Sequence, residues 1–234
     1  MINKNHFLSD IYGFNCYDIL FDKGMINNLK SNFLFTKILD KPSFLSCKIP
    51  SNESASISNL VSLGFVEIGN NVIFEKDIKY SITKKNLNVF KVKSEHKAAI
   101  QRIVEINKIP TRFHLDKAIS YKSSEIIGEW VLNFFEGKRG DSMFIVKNKG
   151  SIAGFMSLIF SSNSAIIDLI CIDKKYHRKG LATELINSIK LNYSNIEKIS
   201  VGTYRSNHAA ISLYNKSNFT LSKEYKVFHL VNNV

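Results

Sequence analysis

A basic loop between an apolar strand and a helix is the segment of this chain best suited to chemistry. Residues 165–172 are apolar except for Asp168, and residues 174–179 carry four Lys or Arg side chains before Gly180. A helix is predicted to follow, and its N-terminal amides and dipole favour anions. A glycine there lets the backbone approach a phosphate closely. The segment therefore predicts a pyrophosphate site; the alternative is a helix start with ordinary solvated charges.

The elements around this loop alternate between strands and helices, which predicts an α/β (α+β) fold. Pro110 breaks the pattern, and residues 111–116 are expected to form a loop. Strands are predicted at 89–92, 142–147, 152–160, 165–172, 199–203 and 226–231, and helices at 95–107, 123–135, 183–191 and 208–216.

A smaller N-terminal α/β domain is predicted ahead of these elements. It contains strands at 44–49 and 72–74, with a helix opening at 51–53 between them. The lysine-rich stretch 76–87 has no clear periodicity and is interpreted as the boundary. The predicted domains are therefore residues 1–80 and residues 85–234.

The N-terminal domain repeats part of the C-terminal pattern. Residues 44–52 and 199–207 both form a predicted strand that runs into Ser-Asn at a helix start. Both helices end near a phenylalanine, Phe65 or Phe219, and a strand follows each. We interpret the first domain as a partial, non-catalytic copy of the second; chance similarity is the alternative.

Two motifs resemble the signatures of the GCN5-related N-acetyltransferases, the GNAT family. The run His177–Ala182, His-Arg-Lys-Gly-Leu-Ala, resembles the family's acetyl-CoA loop, Arg/Gln-x-x-Gly-x-Gly/Ala. Asn207 and residues 210–219 resemble its second signature, Asn-x-x-Ala-x-x-x-Tyr-x-x-x-Gly-Phe. The chain departs from these patterns at His177 and at Asn218. Asn is the next-best residue after Gly for a left-handed helix end.

The resemblance covers about residues 85–234 and implies the GNAT fold, a central mixed and mostly antiparallel sheet flanked by helices. It also implies an N-acetyltransferase that uses acetyl-CoA and no metal. The strand would offer backbone groups to the pantetheine arm, and the loop amides would hold the pyrophosphate. The implied cofactor-binding residues are Leu169, Ile170, Cys171, Ile172, His177, Arg178, Lys179, Gly180, Leu181, Ala182, Thr183, Asn207 and Tyr214.

Tyr214 is the catalytic acid that the resemblance implies, lying near the thioester sulfur. A phenol of pKa about 10 can protonate a departing thiolate of pKa about 8.5–9.5. The alternative is a helix residue that packs on the core. In the branch of the family that acts on nucleotide sugars, a Glu near the end of the N-terminal domain is the general base. Glu67 is the nearest match here, although an ungapped alignment puts Gly69 at that position. Asp168 is the other candidate. A water chain is the third possibility.

A second resemblance concerns the acceptor. Residues 111–116, Trp130, Asn133 and Gly137 are similar to a stretch of the dTDP-fucosamine N-acetyltransferase group within the family. That resemblance implies acetylation of a dTDP-linked 4-amino-4,6-dideoxyhexose for cell-surface polysaccharide such as lipopolysaccharide.

Arg112 and His114 are the candidate ligands for the nucleotide diphosphate or the sugar; the alternative is a surface loop. Trp130 has helical spacing with Ile126 and Phe134, which favours a place in the core over stacking on the base.

Composition excludes several other classes of protein. The hydrophobic content of 44% excludes wholesale disorder, and no apolar stretch reaches the roughly 18 residues of a membrane helix. No apolar signal segment opens the chain, and the three cysteines are far apart. We therefore expect a cytoplasmic protein without membrane partners or a metal cluster.

The net charge of +12 suits anionic partners, although much of it is consistent with compositional background. A nucleic-acid-binding module would interleave aromatic residues with the basic runs, and only Tyr176 stands in residues 174–179. Nucleic acid is therefore not an expected partner. The remaining alternative is a GNAT enzyme for another amine: a protein N-terminus, a polyamine or an antibiotic. A homodimer is left open.

Overall fold

The computed structural model describes residues 1–78, 88–107 and 109–233. The strands are β1 (Ile2–Lys4), β2 (Asn15–Ile19), β3 (Ser43–Pro50), β4 (Val66–Asp77), β5 (Val89–Lys91), β6 (Ser142–Asn148), β7 (Ser151–Ser161), β8 (Ser164–Ile172), β9 (Lys198–Tyr204) and β10 (Thr220–Asn232). The helices are α1 (His6–Tyr12), α2 (Lys23–Asn27), α3 (Phe33–Leu39), α4 (Ser54–Ser62), α5 (Lys97–Asn107), α6 (Arg112–Leu115), α7 (Ser123–Phe135), α8 (Leu181–Asn192) and α9 (His208–Lys216).

These strands form one mixed sheet with the order β1-β2-β3-β10-β4-β9-β8-β7-β6-β5. Neighbouring strands are antiparallel except in the pairs β2–β3 and β8–β9. The predicted fold class, a mostly antiparallel mixed sheet flanked by helices, is therefore confirmed.

The two parts of the chain exchange strands at the centre of the sheet. The last strand, β10, lies between β3 and β4, and β4 lies between β10 and β9. In the unit β3–α4–β4, the two strands therefore flank β10. In the unit β9–α9–β10, the two strands flank β4. The parallel neighbours β2 and β8 extend the correspondence outward, as a repeat predicts. The boundary between the two predicted domains falls mainly in 79–87, outside the described residues, so that division stays a prediction.

Helices cover both faces of the sheet. In the C-terminal part, Ile167 of β8 packs with Leu185 and Ile189 of α8 on one face. On the other face, Leu169 of β8 packs with Ile127 of α7 and with α5. The cofactor motif on α8 and the helix α7 therefore lie on opposite faces of the same strand.

The predicted elements of residues 89–234 correspond to observed elements, and three of the differences concern the segments discussed below. The last strand begins at Thr220, six residues before its predicted start, because it extends along β4. Residues 111–116, predicted as a loop, contain the one-turn helix α6. The helix predicted at 183–191 begins at Leu181, directly after Gly180.

Two absences apply to the described part of the chain. None of its helices has the length and apolar character needed to span a membrane. Over those same residues, no group of three or more His, Cys, Asp or Glu side chains is arranged to hold a metal ion.

A buried hydrogen bond joins the centre of the sheet to the segment after α6. His229 of β10 and Asp116 are both buried, with 2.8 Å between Nδ1 and Oδ2. Burial lowers the pKa of His229. Burial alone would raise the pKa of Asp116, but hydrogen bonds from His229 and the Ala118 amide lower it. The contact is therefore a hydrogen bond that neutral His229 donates to the Asp116 carboxylate.

Gly154→Ala should destabilise the protein by about 1–3 kcal/mol, the usual cost of forcing atoms into a packed interior. A Cβ on Gly154 would clash with Ile172 Cδ1 and would lie 2.6 Å from the Cys171 oxygen. Urea unfolding measures the change. The matched control is Gly128→Ala in α7, where a Cβ meets nothing within 4 Å. That change should stabilise the helix by about 0.5–1 kcal/mol. Equal stability of Gly154→Ala and wild type would contradict the close approach of β7 and β8.

The free energy of unfolding should fall as the pH drops below about 6.5. Unfolded His229 takes up a proton in that range, whereas folded His229, with its lowered pKa, stays neutral. The expected slope is about 1.4 kcal/mol per pH unit until the pH reaches the folded pKa.

Urea unfolding at a series of pH values compares His229→Gln with His208→Gln, whose side chain is exposed. The first variant should flatten the pH dependence and the second should keep it. A steep dependence that survives His229→Gln would assign the proton uptake to another group.

Candidate functional site

The strands β8 and β9 part in the middle of the sheet. Their parallel ladder runs only from the pair Ser164–Lys198 to the pair Ile167–Val201. Beyond it, β8 stays paired with β7, and β9 stays paired with β4. Residues 168–172 therefore have no ladder partner on the β9 side within the described part of the chain. A gap between two strands leaves backbone groups that a ligand or water must satisfy.

The loop after β8 presents a row of backbone amides. Arg178 and Gly180 have left-handed φ values of 61° and 77°, which turn the chain sharply before α8 begins. No side chain caps α8, and the amides of residues 178–183 bond to no described residue. The space beside Gly180 is open, since a Cβ there would meet nothing within 4 Å. This is the geometry of an anion site at a helix start.

Residues on both sides hold this loop in position. Asp173 is buried; its amide bonds to the Ala153 oxygen at 2.8 Å, and its carboxylate accepts the Lys175 amide at 3.1 Å. The Lys174 amide donates to Asn107 of α5 at 3.0 Å. The His177 ring lies 2.9 Å from the Ile172 oxygen, so it braces the loop. His177 thus has a structural contact beside its predicted contact with phosphate.

The second motif forms α9 and its caps. Asn207 caps the helix, and its side-chain oxygen accepts the Ala210 amide at 3.2 Å. Its side-chain NH₂ group is not used in that bond, so it can still donate to a ligand. Asn218 has a φ of 61°, which confirms the predicted left-handed conformation in place of glycine.

Tyr214 lies deep in the core. Its ring packs against Phe74 of β4 at 5.8 Å and Phe219 at 5.7 Å between centroids. The side chain is 3% exposed, and Ile170 of β8 packs against the same cluster. Burial raises the pKa of the phenol above its usual value, so the hydroxyl keeps its proton. This packing confirms that the ring fills the core, and the role of the hydroxyl as catalytic acid stays a prediction.

Both candidate carboxylates are in ion pairs. Asp168, the first β8 residue past the last pair with β9, accepts two bonds from Arg139 at 2.7 and 2.9 Å. Glu67 is bonded to Lys226 at 2.7 Å and is partly exposed. It lies four positions beyond the last pair of β4 with β9, Asn71–Tyr204.

The predicted acceptor ligands lie on α6. Arg112 Nη1 donates to Ser46 Oγ at 2.6 Å, and its Nη2 is 3.4 Å from Asp18 Oδ1. His114 Nδ1 is 3.2 Å from Thr111 Oγ1, and the helix packs over Gly69 of β4. The structure therefore brings α6 against the N-terminal strands, although it leaves the roles of Arg112 and His114 as predictions.

Arg139 is the site residue that sequence reasoning missed. Besides its bonds to Asp168, its guanidinium lies 4.4 Å from the centre of the Trp130 ring. Trp130 is partly exposed and borders a cavity, so the predicted core role describes only part of its environment. A turn of Gly137-Lys138-Arg139-Gly140 carries no sequence signal for this arrangement.

Similar solved structures share the fold at low identity. A GCN5-related N-acetyltransferase from Sphaerobacter thermophilus superposes with a TM-score of 0.63 at 11% identity, covering 92% of this chain and 73% of that one. A conserved protein of unknown function from Staphylococcus epidermidis gives a TM-score of 0.65 at 14% identity, covering 98% and 91%.

A curated protein is similar in sequence over part of its length. The spore coat polysaccharide biosynthesis protein SpsD of Bacillus subtilis is 24% identical over 124 residues. The match covers 51% of this chain and 42% of SpsD, so this chain spans less than half of its relative.

The family comparison covers the parts described above. The model of the acetyltransferase (GNAT) family matches residues 104–219, about half of the chain. The match includes the parting of β8 from β9, the amide-lined loop before α8 and the α9 motif with Tyr214. The chain therefore belongs to the GNAT family of acetyltransferases.

Proposed function

We propose that the protein transfers an acetyl group from acetyl-CoA to the amine of a nucleotide-linked amino-dideoxy sugar, of the dTDP-4-amino-4,6-dideoxyhexose type. The observation that carries the cofactor assignment is the row of unengaged amides at residues 178–183. The similarity to a polysaccharide biosynthesis protein supports a sugar acceptor over another amine. The product would serve cell-surface polysaccharide synthesis.

The cofactor would bind along the gap. The amides from Arg178 to Thr183 are suited to its pyrophosphate because they are unpaired and lie at the positive end of α8. Lys174 and Lys179 add positive charge around the loop. The pantetheine arm would bond to the backbone of residues 169–172, which lack a strand partner on the β9 side. At Ile172 the His177 ring already contacts the backbone oxygen.

The transfer needs one proton donor and one proton acceptor. The amine attacks the thioester carbonyl, the new C–N bond forms, and the C–S bond breaks to release the thiolate of coenzyme A. Tyr214 would protonate that thiolate. Burial keeps its phenol protonated but also raises its pKa, so the proton transfer to the thiolate runs uphill. The amine loses its proton to Glu67, to Asp168 or to water. Protonation of Asp168 would weaken two bonds to Arg139, which favours Glu67 or a water chain.

Gly180→Glu should abolish coenzyme A binding in a folded protein. A glutamate would put a side chain and a negative charge in the open space where the pyrophosphate is proposed to bind. It would also strain a left-handed residue, so Gly150→Glu, at a φ of 82° with equally open space, is the matched control. Calorimetric titration measures the affinity, and circular dichroism checks the fold. Retained affinity in folded Gly180→Glu would contradict the loop assignment.

Tyr214→Phe should lower kcat by about 10²–10⁴-fold and leave the coenzyme A dissociation constant nearly unchanged. The ring still fills the space between Phe74 and Phe219, and only the phenolic proton is lost. Thiol release with a dTDP-amino sugar as acceptor measures kcat. The loss should shrink with an acetyl donor whose leaving thiol has a lower pKa, because that thiolate needs no proton. Wild-type kcat in the variant would assign the proton to another group.

A further inference from the structure

A second candidate site lies on the face of the sheet opposite α8. A cavity of about 360 Å³ opens between α1, α6 and the end of α7. Its size is that of a small-molecule pocket. The polar residues and the tryptophan in its wall are Asn5, Arg112, Trp130, Asn133, Lys138 and Arg139. The proposed cofactor path uses none of these side chains.

One wall of the cavity contains two aromatic rings and an arginine. The Arg139 guanidinium lies over the Trp130 ring, 4.4 Å from its centre, and Phe113 meets Trp130 edge to face at 6.2 Å between centroids. Arg139, Trp130 and Phe113 all line the cavity. Planar arginine and aromatic groups are the surfaces on which nucleobases stack in proteins.

Hydrogen-bond donors surround that wall. Arg139 uses Nε and Nη2 to hold Asp168, and its Nη1 group bonds to no described residue. The Asn133 side chain likewise makes no hydrogen bond within the described residues. Lys138 pairs with Glu136 at 2.7 Å on the surface, where such a pair is weak and readily exchanged. A phosphate group can therefore gain donors here, because these groups are not committed to the fold.

The cavity adjoins the proposed point of transfer. Arg139 joins its wall to Asp168, and Asp168 is the first residue of β8 after the strand parts from β9. A ligand anchored at Arg139 can extend toward the gap from the α7 face, while α8 packs on the other face. Two anionic substrates can then meet without sharing one phosphate site.

The N-terminal part of the chain completes the cavity. Asn5 lines it and donates to Asp18 at 2.6 Å, and Asp18 in turn pairs with Arg112. Arg112 also donates to Ser46 of β3 at 2.6 Å. The orientation of Arg112 toward the cavity thus depends on two N-terminal strands.

We infer that this cavity binds the nucleoside diphosphate part of the acceptor, with the base against the Trp130–Arg139 wall and the phosphates near Lys138 and Asn133. The inference rests on the proposed function and deepens it. It also gives the N-terminal part a role, since Asn5 and the anchors of Arg112 belong to it.

The test titrates thymidine diphosphate into the protein in the presence of saturating coenzyme A. The coenzyme A occupies the α8 loop, so a diphosphate cannot bind there instead. Lys138→Glu and Asn133→Asp should each weaken binding at least about tenfold, because a negative charge then faces the phosphates. Neither side chain is buried, and circular dichroism of both variants should match that of wild type.

Lys122→Glu is the matched control. Lys122 is also paired with a glutamate on the surface, Glu125 at 2.6 Å, but it does not line the cavity. Its variant should bind thymidine diphosphate within about twofold of wild type, since the charge change lies outside the cavity.

The inference is overturned if all three variants bind thymidine diphosphate with the affinity of wild type. It is also overturned if wild type does not bind thymidine diphosphate at all. A separate titration with acetyl-CoA distinguishes the two proposals. If acetyl-CoA binds and all three variants bind thymidine diphosphate as wild type does, only the cavity assignment fails. If wild type does not bind acetyl-CoA, the proposed function itself fails.

Discussion

The parting of β8 from β9 after the pair Ile167–Val201 is the constraint on which the rest of the structure depends. It leaves residues 168–172 without a strand partner on the β9 side within the described part of the chain, and backbone groups there that no other residue bonds are costly unless a ligand or water satisfies them. The neighbouring strands sustain this opening. On one side β7 stays paired with β8 through Gly154, which has room for no side chain. On the other side β4 holds β9 to its end at Tyr204.

The strand that supports β9 comes from the N-terminal part of the chain, and this couples the two parts. Because β10 separates β3 from β4, and β4 separates β9 from β10, neither strand–helix–strand unit pairs its own two strands with each other. Removing residues 1–78 would expose both long edges of β10 and the open edge of β9. Exposed edges of this kind promote aggregation. The N-terminal part is therefore structurally required even though it has no acetyl-CoA motif of its own.

Local geometry could be predicted from the sequence, and long-range pairing could not. The strand, loop and helix around Gly180 and the left-handed Asn218 follow from residue types within a few positions. The sheet order does not, since Lys226 pairs with Ile49 on one side and Asn70 on the other, and no periodicity encodes such partners. Arg139 was missed for the same reason: its partner Asp168 lies 29 residues away.

Two groups of basic residues lie on opposite faces of the sheet, one around the start of α8 and one beside α7. The net charge of +12 exceeds what one pyrophosphate loop uses, and its clustering is more informative than its sum. Lys174, Lys175, Arg178 and Lys179 surround the start of α8, whereas Arg112, Lys138 and Arg139 border the cavity beside α7. Arg139 connects the second group to Asp168, the first β8 residue beyond the last pair with β9. If both substrates are anionic, as proposed, separate basic surfaces keep their phosphates apart while the amine and the thioester meet between them.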